Sequence, residues 1–132
     1  MKVLVDTTVW IDYFRGRRTA QTQWLDRALG VTRVGLCDLI LCEILQGMSS
    51  DKDATDVLAE MSSFDLLGTG GMDLAVESAR NYRRLRARGH TVRKTIDCLI
   101  VTLCLRDGHE LLHNDRDFDP FEAVLSLRVI HP

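Results

Sequence analysis

The repeated alternation of very short apolar runs with longer stretches of helical spacing constrains this chain more than any other feature. Residues 2–5 (KVLV) form a run that breaks at Asp6, after which Val9, Trp10, Tyr13 and Phe14 recur at helical spacing until Gly16. That is a strand feeding a helix. The pattern then repeats: a helix over 20–29 ending at Gly30, a strand over 33–36, helices over 38–48 and 52–62, and a strand over 64–67. A long helix over 72–88 stops at Gly89, another over 95–107 stops at Gly108, LLH (111–113) suits a strand, and SLRVI (126–130) suits the last one. Strands separated by helices of this length pair in parallel through right-handed crossovers, so the expected class is α/β, a three-layer α/β/α arrangement with helices on both faces of a small, mainly parallel sheet. At 132 residues the chain fits one domain, 1–132.

Composition narrows the setting. With 45% hydrophobic and 27% charged residues the chain can bury a core, and no apolar run approaches the ~18 residues of a membrane span. Asp6 interrupts the first apolar stretch before a signal-peptide core forms, so the expected location is the cytoplasm, with no membrane partner. Cys37, Cys42, Cys98 and Cys104 contain no C-x-x-C pair and sit among leucines and isoleucines, which fits free, buried thiols. His90, His109, His113 and His131 are scattered singly, which suits polar or capping roles over zinc ligation.

Net charge is only −2, but the cations are unevenly spread. Between Glu77 and Asp97 stand Arg80, Arg83, Arg84, Arg86, Arg88, Arg93 and Lys94, seven cations with no acid among them. Arg80, Arg84 and Arg88 make an i, i+4 stripe with Arg83 and Arg86 beside it, which suits a phosphate backbone. A solvated helix face is the plainer alternative.

Four acids resist the helix pattern. Ligands of a parallel sheet gather beyond the carboxyl ends of its strands, where Asp6 and Asp115 both fall. Asp6 also suits an N-cap. Glu43 is the only polar residue in LILCEIL, and Asp97 is the only charge between Lys94 and Arg106. A buried, unpaired carboxylate is costly, so these two need shared cations or hydrogen-bond donors, a structural ion pair being one solution for either alone. LLHNDRDFDP matches the start of an EF-hand loop, yet Pro120 stands where that loop needs glycine and its closing Glu is missing, which excludes a calcium loop. Asp119 before Pro120 suits an N-cap, leaving Asp115 and Asp117 for chemistry.

Together, VDTTVWIDYF (5–14), LCEILQG (41–47), TVRKTIDCLIVT (91–102) and LLHNDRDFDP (111–120) resemble the PIN-domain nucleases, more narrowly the VapC toxins of bacterial toxin–antitoxin pairs. The resemblance spans nearly the whole chain. It implies a PIN-like fold, an acidic quartet of Asp6, Glu43, Asp97 and Asp115 in catalytic and metal-binding roles, and Asp117 as an alternate or additional metal ligand. It further implies Mg²⁺- or Mn²⁺-dependent cleavage of RNA, a homodimer, and neutralisation by a VapB-type antitoxin. Four acids without Cys or His are, independently, a hard cation's ligand set. Thr7, beside Asp6, suits either orienting a carboxylate or capping.

Arg80, Arg83, Arg84, Arg86, Arg88 and Arg93 are then expected to bind RNA, although an antitoxin could use the same arginines. Trp10, Tyr13 and Phe14 are expected to form an exposed patch for the antitoxin, since one helical turn has little room to bury three rings; core packing is the competing expectation. Two other functions fit parts of the sequence. An aspartyl-phosphate phosphatase or receiver-like domain also places an Asp after its first strand, but Thr8 stands where the phosphatases want a second Asp, and only Lys2, Lys52 and Lys94 could serve the phosphate. A non-catalytic RNA- or protein-binding module would leave the acids inert.

Overall fold

A computed structural model describes residues 2–132. The chain runs β1 (Val3–Val5), α1 (Thr7–Phe14), α2 (Ala20–Ala28), β2 (Val34–Cys37), α3 (Asp38–Gln46), α4 (Asp51–Met61), β3 (Asp65–Leu67), α5 (Gly71–Ala87), α6 (Thr95–Asp107), β4 (Glu110–Leu112), a 3₁₀ turn (Arg116–Phe118) and α7 (Asp119–Leu125). The strands lie in the order β3-β2-β1-β4 and every pairing is parallel. Two crossovers advance from β1 to β3; the third returns past both to place β4 on the far side of β1. With right-handed connections that reversal puts α1–α4 on one face and α5 and α6 on the other, giving the expected three layers. It also creates a crevice beyond the carboxyl ends of β1 and β4, where ligands of open α/β sheets bind.

Local chemistry sets the helix ends. Asp6 caps α1, accepting from the Thr8 amide at 3.2 Å and the Thr8 hydroxyl at 2.7 Å. Thr19 and Thr22 form a reciprocal capping box on α2, and Ser50 caps α4. Gly108 ends α6 in the left-handed conformation, φ 72°, which a side chain would strain. The central strands β1 and β2 are buried along their whole length, as strands covered on both faces must be. Most of α6 is buried with them.

Four sequence expectations change. SLRVI does not form a strand: α7 continues to Leu125, Ser126 stops it at φ 59°, and the segment beyond contributes one parallel bridge, Leu111 to Val129. Asp119 is the first residue of α7 with Phe118 at the cap position and no side-chain cap bond; the preceding 3₁₀ turn has its own cap, Asp115, which accepts from the Asp117 amide at 2.9 Å. Trp10 is not an exposed anchor. α1 runs two turns rather than one, and Trp10 is only 1% exposed, stacked on Phe14 and tilted against Phe64 beside β3. Tyr13 and Phe14 stay half-buried around it. Of the four thiols, Cys42 is exposed and the rest buried.

Candidate active site

Each of the four acids reaches the crevice from a different element. Asp6 follows β1, and its amide donates to the Leu112 carbonyl at the end of β4 at 2.9 Å, tying the two strand ends together. Three residues beyond Leu112, Asp115 opens the 3₁₀ turn. Glu43 comes from α3, where it is half-buried, and accepts from the Thr7 hydroxyl at 2.9 Å. Thr7 therefore orients a carboxylate, the capping role falling to Asp6. Asp97 enters from the first turn of α6.

Burial makes this cluster unusual. Asp6 is 3% exposed and Asp97 5%, in a protein whose other carboxylates mostly face water. Burial pushes the Asp97 carboxyl up to about 7, and the negative charges of Asp6, Glu43 and Asp115 push the same way against the opposing pull of Lys94. Burial likewise raises Asp6 and Glu43; for Glu43 the Thr7 hydrogen bond opposes it, while Asp6 adds repulsion. The acids thus feel one another's charge with Lys94, exposed at the start of α6, as the cation that Glu43 and Asp97 sense.

Among the described residues, no three His, Cys, Asp or Glu side chains stand close enough to enclose an ion as they are placed. The arrangement is an open cluster. A hard divalent ion that keeps several waters needs only one or two direct carboxylates, so the donor set suits it in number and kind. Asp117, whose amide donates to Asp115, has a carboxylate oxygen 4.0 Å from Arg93 Nε. That contact joins the acids to the basic segment.

Two residues near the acids escape a reading of the sequence. Thr8 holds Asp6 by both its amide and hydroxyl. His113 is buried, packs 4.9 Å from the Phe118 ring and accepts the Asp115 amide on Nδ1 at 3.1 Å, which fixes the turn that presents Asp115. A D-T-T triplet hints at the first, whereas the second depends on ring packing that sequence spacing does not encode.

The arginines of α5 all point outward. Arg80, Arg83, Arg84, Arg86 and Arg88 are exposed, as is Arg93 in the loop before α6; Arg80 has an acidic neighbour in Glu77 at 3.6 Å, as Arg93 has in Asp117. On the opposite layer, Ile11, Phe14, Met48 and Val57 line a groove of about 460 Å³ between α1 and α4 that Asp53 and Asp56 flank. Among the described residues, no helix is long and apolar enough to cross a membrane.

A family model described as PIN domain matches residues 3–123. The chain is 32% identical over 131 residues to ribonuclease VapC11 of Mycobacterium tuberculosis, covering 96% of both proteins, and equally to a VapC ribonuclease of Mycobacterium bovis. Its fold superposes on a crystal structure of VapBC2 from Rickettsia felis bound to a promoter DNA fragment, with a TM-score of 0.79 at 12% identity over 98% of each chain. DNA-bound VapBC from Salmonella typhimurium gives 0.76 at 16% identity, covering 98% of this chain and 97% of that one.

Proposed function

The chain belongs to the PIN-domain family and to its VapC ribonucleases, and from that premise we propose an endoribonuclease toxin that hydrolyses RNA phosphodiesters with a divalent cation, Mg²⁺ or Mn²⁺, and is neutralised by a VapB-type antitoxin. The observation that carries this proposal is Asp97: a buried carboxylate pushed up to about 7 among Asp6, Glu43 and Asp115, with the exposed Lys94 as the cation that opposes the shift. A fold tolerates such a group where its charge is put to use.

Asp6, Glu43, Asp97 and Asp115 would hold the cation, with Asp117 at its outer side. When bound, a divalent ion lowers the pKa of a water and offsets charge developing on the phosphodiester and leaving oxygen. The protein's part is to hold the carboxylates in place. Thr8 fixes Asp6, Thr7 fixes Glu43, and His113 fixes the turn of Asp115. Arg80, Arg83, Arg84, Arg86, Arg88 and Arg93 would guide the strand by its phosphates toward Asp97. An apolar antitoxin segment would lie in the groove beside Phe14 and Tyr13, with an arginine of its own reaching the acids. The toxin would act in the cytoplasm as a single-domain chain and as a homodimer.

Incubation with total RNA, with Mg²⁺ and with chelator, followed by mapping of the cleaved ends, tests the proposal. Discrete ends that require the metal are expected. RNA binding that survives chelation, with no cleaved ends in either condition, would instead make the protein a binding module.

A further inference from the structure

A second cavity lies between α5 and α6, and the catalytic cluster does not use it. It encloses about 460 Å³, with Cys98 and Leu99 of α6 in its floor, Tyr82 of α5 in its wall, and Arg83 and Arg86 on its rim. That is within the ~300–1,000 Å³ typical of small-ligand sites. Thr95 also lines it, in the same first turn of α6 as Asp97 but on the other face of the helix, so the cavity and the buried acid lie on two sides of the N-terminal end of α6.

The geometry points to a base-binding subsite: the cavity takes an unstacked nucleobase of a single-stranded RNA whose backbone continues around the N-terminal end of α6 to Asp97. This rests on the ribonuclease proposal. Charge favours RNA over a protein partner. No acid lines the cavity, its rim is arginine, and the adjoining segment from Arg80 to Lys94 carries seven cations and no carboxylate. The groove between α1 and α4, by contrast, sets Asp53 and Asp56 against a single arginine, Arg15. Stacking faces are also in place. The Arg86 guanidinium sits 5.8 Å over the Tyr82 ring, and either plane can stack on a base. A duplex keeps its bases stacked inside, so such a cavity serves single strands.

The consequence is selectivity that the phosphate contacts alone do not confer. Arginines on phosphates hold any strand equally, whereas a base in this cavity contributes only if it can leave its stack.

The test compares an eight-nucleotide oligoadenylate with a wholly abasic strand of the same length, bound to the full chain in chelator so that no cleavage intervenes. The base-bearing strand should bind about 5–150-fold tighter, the range that one stacked base gives. Tyr82→Leu should lose that preference while keeping its affinity for the abasic strand, and Tyr82→Phe should retain both. A wild-type preference near unity overturns the subsite without recourse to any variant. A Tyr82→Leu protein that keeps the full preference also overturns it, as does one whose sedimentation reveals a dimer falling apart, because the cavity would then hold a second copy of the chain. Metal-dependent cleavage without base preference breaks the subsite alone; base preference in a protein that cuts no RNA breaks the ribonuclease proposal alone.

Discussion

Helices α5 and α6 pack against each other yet treat charge in opposite ways. Along α5, only Leu74, Ser78, Asn81 and Leu85 are buried, a stripe at helical spacing, and its arginines stand in water. Along α6, seven residues are buried, and one of them is Asp97. An exposed arginine costs a fold little and by itself says little about function. A carboxylate in an apolar helix is expensive, so its presence carries more information than five arginines on the neighbouring surface. The two helices also cooperate: the Asn81 amide donates to the Thr102 hydroxyl at 3.1 Å, and the Cys98 thiol to the Ser78 carbonyl at 3.3 Å, setting the register between them.

That contrast breaks most visibly at Asp97. Replacement by Asn removes the charge but keeps the shape, so metal-dependent RNA cleavage should fall on the order of 10²–10³-fold or more, measured with labelled RNA at fixed Mg²⁺. Retained activity would reduce Asp97 to a structural acid. The packing side of the comparison is sharpened by a pair of truncations. Truncating the fully buried Leu103 of α6, Leu103→Ala, should cost about 2–5 kcal/mol in chemical denaturation, against within about 0.5 kcal/mol for Arg84→Ala on α5.

Most of this architecture is legible in the sequence because its period changes are abrupt: KVLV into VDTTVW, and the two glycines that end α5 and α6, mark the elements to within a residue or two. Glu43 and Asp97 are legible for the same reason, as single charges in apolar segments. What escapes depends on partners far along the chain. Trp10 reads as exposed until Phe64, 54 positions later, is seen covering it, and Thr7 shows its role only with Glu43 at 36 positions' distance. SLRVI has strand-forming residues, but whether α7 stops before them is decided by a left-handed Ser126 that propensity does not foresee. Asp119 before proline carries the usual cap signature, but the 3₁₀ turn capped by Asp115 runs straight into α7 and leaves Asp119 inside the helix.

Smaller effects refine the arginine face. If α5 tracks phosphates, Arg83→Ala with Arg84→Ala should flatten the slope of log affinity against log salt by about 1.4 for a single strand, roughly 0.7 for each phosphate that is no longer neutralised. An unchanged slope would make the two arginines plain surface. Acidity gives the finest test. Folded Asp97 holds its proton up to about 7, while the unfolded chain releases it near 3.8, so this group favours folding fully below the lower value and loses that contribution as pH rises through the upper. Without metal, Asp97→Asn should therefore melt a few degrees above the wild type at pH 8, and the gap should close as pH falls toward 4.

The central claim, that these buried acids act together as a cation site, is tested most directly by melting the wild type and Asp97→Asn side by side over a Mg²⁺ titration. Binding to the folded state alone stabilises by about 2.7 kcal/mol at one hundred times the dissociation constant, so the wild-type midpoint should climb with Mg²⁺ while that of Asp97→Asn stays flat. An equal climb in both proteins, or none in the wild type, would contradict it.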